Sequence, residues 1–213
     1  MTRHARSERL ALCRTLERVG PDAPTLCPPW RTRDLAAHLV LRERRPDAAL
    51  GIWLRAAAGR SRRVQEEYAA GPWPALVDLV RSGPPPWAPA RWPALDERMN
   101  LPELYVHHED VLRAGDGWTA RSLAPDLEAA LWQSLRATGR LAFRRVPAGV
   151  VLVTPEHGRR QVHAPTDRGT LVLRGRPGEL MLFACNRRAV AGVDVSGPDE
   201  AVAALDATRL GVT

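Results

Sequence analysis

One short segment of the chain concentrates side chains that bind metals. Residues 103–110 read Glu-Leu-Tyr-Val-His-His-Glu-Asp. Glu103 and His107 are four residues apart, and on a helix this spacing places both on one face with Cβ atoms about 5–6 Å apart. Catalytic zinc is typically held by three such ligands and keeps one position open. The pattern therefore predicts two ligands of a metal site, which a residue from another helix would complete.

His38 is the candidate for the third ligand. It lies in the segment Asp34-Leu35-Ala36-Ala37-His38-Leu39, whose apolar residues predict a helix that faces a core. Metal sites in helix bundles are built from side chains on facing helices. A histidine on an apolar face is also commonly a core residue with a hydrogen-bond partner, and this alternative stays open.

The residues around His107 differ in what they can do. His107 and His108 cannot both point inward, because successive helix residues point about 100° apart. Pairing with Glu103 selects His107 and leaves the role of His108 open. Asp110 follows His107 by three residues and could accept a hydrogen bond from its imidazole, which would orient the ring. The alternative for Glu109 and Asp110 is a solvent-exposed helix face.

Two further alternatives concern Glu103 and Cys27. Asn100 is predicted to cap a helix that contains Pro102 in its first turn, and Glu103 would then fold back on the Asn100 amide in a capping box. Cys27 lies in a proline-rich loop before the His38 helix and could approach the site. A buried cysteine that acts as a small apolar residue is the alternative for Cys27.

The elements that must position these residues change in character along the chain. The first 140 residues predict helices, and short β-branched runs bounded by Gly, Pro and Asp predict strands after residue 145. The predicted fold class is α + (α+β), with a helical domain over residues 1–142 and a small α+β domain over 146–213. The predicted helices cover about 5–19, 32–46 (with Thr32 as N-cap), a segment from Pro46 through Trp53 and Leu54, 62–82 with an interruption at Gly71-Pro72, 100–115, 125–139, 178–183 and 198–205, and the strands cover 149–153, 170–173 and 193–195.

Charge does not indicate a nucleic-acid partner, although the formal net charge is +7. All 31 basic residues are Arg and are interleaved with Asp and Glu. The densest run, residues 60–63, is followed by Glu66 and Glu67. Nucleic-acid sites are marked by clustered charge, so we do not expect one here.

The cysteines and the absence of several motifs indicate the cellular location and exclude some classes of enzyme. The three cysteines, Cys13, Cys27 and Cys185, are far apart and form no CxxC pair, which favours a reducing, cytoplasmic location. No apolar run is long enough for a membrane span, and the N-terminus does not resemble a signal peptide. No Gly-x-Ser-x-Gly, dinucleotide-binding or P-loop motif occurs, so serine hydrolases and nucleotide-binding enzymes have no support.

Several segments resemble one family. Residues 30–39, Trp-Arg-Thr-Arg-Asp-Leu-Ala-Ala-His-Leu, resemble the opening of the N-terminal domain of mycothiol-dependent maleylpyruvate isomerases, which belongs to the DinB/YfiT-like metal-binding four-helix bundles. Residues 103–111 resemble the second metal-binding helix of that domain. Residues 20–27 and 42–46 are similar to an actinobacterial subgroup of metal-binding proteins. The resemblance covers residues 1 to about 140, and residues 148–213 more weakly resemble the α+β C-terminal domain of these isomerases, which is related to sterol-carrier folds.

The resemblance implies a site and a chemistry. A divalent metal, usually zinc, would be held by His38, Glu103 and His107. It would bind a small-molecule thiol of the mycothiol type as thiolate, which attacks a small electrophilic substrate in an isomerisation or a thiol transfer. Arg42 and Arg187 would bind the thiol or the substrate, because arginine holds carboxylates in a bidentate way. Asn186 stands where the family has Gly, which weakens the transfer of this role to Arg187, and a surface salt bridge is the alternative for Arg42.

The sequence therefore favours a metal-dependent, thiol-dependent transferase or isomerase, acting as a monomer or a homodimer. A non-catalytic metal- or ligand-binding protein of the same fold is the alternative. A nucleic-acid-binding regulator is a third class that rests on net charge alone. The loops at about 21–31 and 83–99, which would shape a substrate pocket, carry no recognisable specificity motif.

Overall fold

The computed structural model describes residues 4–49, 51, 57–88 and 91–211. The chain divides into two compact units between Ala120 and Arg121. The predicted combination of a helical region with a smaller region that contains strands is confirmed, and the strands form a four-stranded mixed sheet. The boundary at residues 142–146 stays a prediction. The first unit contains α1 (His4–Val19), α2 (Thr32–Arg44), α3 (Pro46–Ala49), α4 (Ala58–Ala69), α5 (Trp73–Ser82) and α6 (Pro93–Leu112), and the second contains α7 (Pro125–Ala142), β1 (Gly149–Thr154), β2 (Gly158–His163), β3 (Thr170–Arg174), α8 (Pro177–Ala184), a short 3-10 helix (Arg188–Val190), β4 (Asp194–Ser196) and α9 (Asp199–Asp206).

The start of α2 differs from the prediction. Thr32 is not the N-cap but the first residue of the helix, and Arg31 occupies the N-cap position. The Thr32 hydroxyl donates to the carbonyl of Gly20 at 2.6 Å, which ties α2 to the end of α1. The Asp34 carboxylate accepts the Arg31 amide at 2.8 Å and so satisfies one of the donors that a helix start leaves open.

Helix α6 is longer than predicted, because it begins at Pro93 and runs without a break through Asn100 and Pro102. The predicted cap at Asn100, and with it the capping-box explanation of Glu103, is wrong. The Asn100 side chain instead donates to Asp96 Oδ1 at 2.7 Å. Pro102 lacks an amide hydrogen and removes one intrahelical bond, a loss that packing of the helix outweighs.

A buried ion pair joins three helices of the first unit. Arg9 of α1 donates to both carboxylate oxygens of Glu43 on α2, at 2.6 and 2.8 Å. The same guanidinium donates to the carbonyl of Val80 on α5 at 3.1 Å. Both side chains are almost fully buried, so their mutual hydrogen bonds offset the cost of removing the charges from water. This contact fixes α2, which carries His38.

The second unit is built on a four-stranded sheet in the order β2-β1-β3-β4. β1 is parallel to β3 and antiparallel to β2, and β4 is antiparallel to β3. α7 approaches the sheet at Gly139, where a Cβ atom would lie 2.9 Å from Val162 Cγ1 on β2. The close approach therefore requires glycine.

Strand β2 was not predicted. Its sequence is Gly-Arg-Arg-Gln-Val-His, and Val162 is its one buried residue. An edge strand with this composition has no alternating apolar signal and forms because β1 pairs with it. The predicted helical continuation through Trp53 and Leu54 lies outside the described residues. Among the helices that are described, none has both the length and the apolar composition needed to cross a bilayer.

Candidate metal centre

The side chains of His38, Glu103 and His107 converge within the first unit. α2 supplies His38 and α6 supplies the other two, and one donor atom from each residue lies within 4.8 Å of the others. Glu103 Oε2 and His107 Nε2 are 3.3 Å apart. Ligands at zinc–ligand distances of 2.0–2.1 Å in tetrahedral geometry lie roughly 3.4 Å from each other. Two nitrogens and one carboxylate oxygen at these separations suit a divalent cation, and all three residues are those that the sequence indicated.

His38 is held by aromatic packing. Its ring centroid lies 5.0 Å from that of Trp30 in the preceding loop, with a tilt of 41°. It meets the His107 ring edge-on at 5.3 Å. The side chain is buried on a face of α2 that also contains the fully buried Leu35. Packing on both sides restricts the imidazole to an orientation beside His107.

Asp110 sets the orientation of the His107 imidazole. Nδ1–H of His107 donates to Asp110 Oδ2 at 2.9 Å, and Asp110 is fully buried. Nε2 is then the ring nitrogen that faces Glu103. A carboxylate behind a histidine ligand fixes the tautomer and raises the basicity of the nitrogen that binds metal. The solvent-exposed alternative for Asp110 is wrong, and so is that for Glu109, which is buried in an ion pair with Arg113.

Glu103 is the most accessible of the three donors, with 34% of its side chain exposed. Arg42 lies beside it, with Nε 3.7 Å from Glu103 Oε1. The two terminal nitrogens of Arg42 donate to α6, to Asn100 Oδ1 at 2.7 Å and to the Met99 carbonyl at 2.8 Å. Arg42 thus links α2 to α6 next to Glu103, and its predicted contact with thiol or substrate stays a prediction.

The pKa values of Glu103 and His107 are shifted in directions that favour their charged forms. Burial opposes ionisation of Glu103, but the hydrogen bond from His107 and the charge of Arg42 outweigh it and hold the Glu103 pKa below its ordinary value. Burial likewise opposes protonation of His107, yet hydrogen bonds to Asp110, Cys27 and Glu103 raise the His107 pKa well above 6.5. The metal-free site therefore holds a proton on His107 in the position that a cation would take.

Cys27 lies on the opposite edge of the His107 ring. Its Sγ–H donates to Asp110 Oδ2 at 3.1 Å, the same oxygen that accepts from His107. The backbone amide of Leu26 donates to the Asp110 carbonyl at 3.0 Å and ties the loop to α6. Cys27, His107 and Asp110 form a second group of donors within 4.8 Å of one another. The position of Cys27 in the loop before α2 was the signal in the sequence for this approach.

His107 and His108 are both buried, so the expectation that only one of them points inward is wrong. His108 belongs to a separate buried cluster. Its Nδ1–H donates to Glu8 Oε1 at 2.7 Å, and its Nε2 lies 2.9 Å from Thr15 Oγ1. Glu8 and Thr15 both lie on α1, so His108 connects α6 to α1 and points away from Glu103. Neither Glu8 nor Thr15 has a local sequence signal for burial, so no pattern predicted this cluster.

Arg187, the other predicted thiol- or substrate-binding residue, lies in the second unit after α8. Its Nη1 donates to the Cys185 carbonyl at 2.6 Å. Asn186 has a positive φ of 65°, a conformation that glycine adopts without strain and that asparagine tolerates better than most residues. The role of Arg187 stays a prediction.

Comparison with known proteins gives structural matches without sequence matches. No family model matches the chain. No curated protein matches it significantly in sequence. The crystal structure of a histidine-to-alanine variant of the mycothiol-dependent maleylpyruvate isomerase is similar at a TM-score of 0.61 and 15% identity, over 92% of this chain and 91% of that chain. The crystal structure of the mycothiol-dependent maleylpyruvate isomerase itself is similar at 0.58 and 14% identity, with the same coverage. At these identities the likeness establishes a shared fold.

Proposed function

We propose that this protein is a metal-dependent, thiol-dependent transferase or isomerase that acts on a small electrophile. The observation that carries the proposal is the convergence of His38, Glu103 and His107, with all three donor atoms within 4.8 Å. The shared fold with an isomerase whose name includes mycothiol supports the choice of thiol. A zinc ion in this donor set would lower the pKa of a thiol bound to it.

Other residues of the chain orient the two histidines and leave one side of the site open. Asp110 holds His107 with Nε2 toward Glu103, and Trp30 packs against His38, so both imidazoles are oriented before anything binds. The exposed third of the Glu103 side chain marks the side from which solvent and small molecules reach the donors. Buried ligands that meet at a solvent-facing carboxylate suit a site with an open position rather than a closed structural one.

The proposal also includes more specific assignments of fold, cosubstrate and metal. They are the four-helix-bundle classification of the helical unit, the sterol-carrier relation of the second unit, mycothiol as the cosubstrate, and zinc as the metal. The carboxylate-binding roles of Arg42 and Arg187 are also part of it. His₂Glu also admits Ni²⁺, Fe²⁺ and Mn²⁺, so the experiments should offer each of them.

Metal content tests the site directly. Protein purified without a histidine tag should contain about one divalent cation per chain, as a three-ligand site with an open position implies. The His38→Ala, His107→Ala double variant should lose that cation, whereas His157→Ala in the second unit should keep it. Elemental analysis by mass spectrometry measures both. A content near zero that the double variant leaves unchanged would contradict the proposal.

Turnover tests the reaction. The metal-loaded protein with mycothiol should isomerise maleylpyruvate or conjugate the thiol to a halogenated arene, and chelation should abolish the rate. Product analysis by chromatography distinguishes isomerisation from transfer. Full metal occupancy without turnover on either substrate would favour a non-catalytic binding protein.

A further inference from the structure

The second group of donors, Cys27, His107 and Asp110, shares the His107 ring with the first group but uses its opposite edge. Nδ1 of His107 faces Asp110 at 2.9 Å, whereas Nε2 faces Glu103 at 3.3 Å. Cys27 adds a sulfur donor that the first group lacks. We propose that Cys27, His107 and Asp110 form a second cation site, selective for thiophilic ions such as Cd²⁺ and Hg²⁺.

The distances between the donors suit this role. Cys27 Sγ lies 3.1 Å and His107 Nδ1 lies 2.9 Å from the same Asp110 oxygen. In tetrahedral geometry, sulfur at about 2.3 Å and nitrogen or oxygen at about 2.0 Å from zinc lie roughly 3.3–3.6 Å apart. A cation of zinc's size that replaces the two hydrogen-bonding protons therefore requires the donors to separate by about 0.4 Å, and the larger Cd²⁺ requires about 0.3 Å more. Binding would release the Cys27 thiol proton and the His107 Nδ1 proton.

The summed charge of the donors and the softness of the Cys27 sulfur determine which ions the second site prefers. A thiolate, a carboxylate and a neutral imidazole sum to −2, which balances a divalent cation in a largely buried place. The His38–Glu103–His107 set sums to −1 and leaves a divalent cation with a net +1. Thiolate ligands favour soft ions, whereas imidazole and carboxylate suit harder ones. The second site should therefore prefer Cd²⁺ more strongly than the first.

The loop that carries Cys27 is fixed well enough to present the thiol. The Thr25 hydroxyl donates to the Trp30 carbonyl at 2.8 Å and accepts the Cys27 amide at 3.2 Å. The Trp30 amide donates to the Cys27 carbonyl at 2.8 Å. Cys27 is half-buried, so ions in solution can reach it, while Asp110 is closed off behind it. A tethered loop with one accessible donor gives an entry path to the buried ones.

Cadmium binding to the full-length protein tests the proposal. Reduced, metal-free protein titrated with Cd²⁺ alone should develop an ultraviolet sulfur-to-cadmium charge-transfer band. Cys27→Ser should abolish the band, and Cys185→Ser, which changes a cysteine of similar exposure in the second unit, should leave it intact.

A second pair of variants separates this site from the first. The His38→Ala, Glu103→Gln double variant should keep the charge-transfer band, because neither residue belongs to the second group. Loss of the band in that variant would overturn the proposal and make Cys27 a ligand of the first site. Persistence of the band in Cys27→Ser would overturn it as well. These outcomes are independent of whether the protein turns over any substrate.

The wild-type chain offers a test that needs no variant. Cd²⁺ should protect Cys27 from alkylation, as mapped by peptide mass spectrometry, and should leave the labelling of Cys185 unchanged. A labelling rate of Cys27 that Cd²⁺ does not reduce by at least about tenfold would contradict the proposal, since a coordinated thiolate is withdrawn from reaction.

Discussion

His107 and Asp110 share a hydrogen bond of 2.9 Å between Nδ1 and Oδ2, one turn apart on α6. Because Asp110 is fully buried and the His107 side chain nearly so, this bond fixes the ring without competition from water. The bond determines which nitrogen faces Glu103 and His38. A donor set assembled from three residues thus depends on a fourth that contributes no atom to it.

Replacing Asp110 should weaken metal binding without removing a ligand of the first site. Asp110→Asn keeps the volume of the side chain but removes the charge that supports His107. Zinc affinity should fall by about 10–100-fold, the usual effect of changing a partner behind a histidine ligand. Competition with a chromogenic chelator measures the affinity. Asp116→Asn, an exposed carboxylate in the same unit, should bind as the wild type does, and equal affinity in both variants would contradict the role of Asp110.

The stability of the metal-free protein and its affinity for metal should depend on pH in opposite ways. The raised pKa of His107 contributes stability that is complete below its unfolded value of about 6.5 and is lost as pH rises through the folded pKa. The lowered pKa of Glu103 contributes stability that is present above its ordinary 4.5 and is lost as pH falls through the folded pKa. In the chelated protein the contribution of the pair should be largest between about pH 4.5 and 6.5.

Metal affinity should instead rise with pH, because His107 must lose a proton to bind. Calorimetric titration in buffers of different ionisation enthalpy should show proton release on binding at pH 7. Thermal unfolding of the chelated protein against pH gives the other half of the prediction. His107→Gln should flatten both dependences, and zinc binding without proton release would contradict the raised pKa.

Arg42 can be assigned by separating metal affinity from substrate binding. Arg42→Met keeps the apolar stem and removes the donors to Asn100 and Met99, so the free energy of unfolding should fall by about 2 kcal/mol. Metal affinity should be kept or rise, because removing a positive charge beside Glu103 favours a bound cation. Arg14→Met, an exposed arginine on α1, is the control. A raised KM at unchanged metal affinity and stability would assign Arg42 to substrate alone.

The sequence indicated Glu103 and His107 because their spacing is local, and it indicated His38 through its apolar helix and the resemblance of residues 30–39 to a metal-binding domain. Glu103 and His107 share a face through the helical repeat alone, and that inference survives although α6 begins seven residues before the predicted start. The start of α6 was predicted at the wrong residue, because Asn100 and Pro102 are residue types that are common at helix N-termini. The tertiary contact from Arg42 on α2 to Asn100 favours the longer helix, and no local pattern encodes it.

Other parts of the structure could not be predicted, since they depend on residues far apart in the chain. His108 is separated from Glu8 by 100 residues, and Cys27 from Asp110 by 83. Strand β2 is polar along most of its length and forms because β1 offers a partner. Pairing across such distances leaves no periodicity in the sequence.

His108 should prove structural where its neighbour His107 binds metal. His108→Ala removes the hydrogen bonds that His108 makes to Glu8 and Thr15. The free energy of unfolding should fall by about 1–3 kcal/mol, as is usual when one partner of a buried hydrogen bond is removed. Chemical denaturation measures the loss, and elemental analysis of the folded fraction should still give the wild-type metal content. Loss of metal at unchanged stability would contradict this division.

Cys13 offers a pH-dependent signal that is independent of the metal site. Burial raises the pKa of its thiol to about 11, from an ordinary value of 9.0. Between these values the unfolded chain loses the thiol proton and the folded chain retains it, so stability falls as pH rises. The loss should approach about 2–3 kcal/mol above pH 11, at 1.36 kcal/mol for each pKa unit.

The comparison that isolates this effect is wild type against Cys13→Ala, because other groups titrate equally in both. The unfolding free energy of the wild type should fall relative to that of Cys13→Ala as the pH rises from 9 to 11. Alkylation of folded protein at pH 8 should meanwhile label Cys27 well before Cys13, which is 1% exposed. Equal labelling rates, or a stability difference independent of pH, would show that Cys13 is reached by solvent in the folded state.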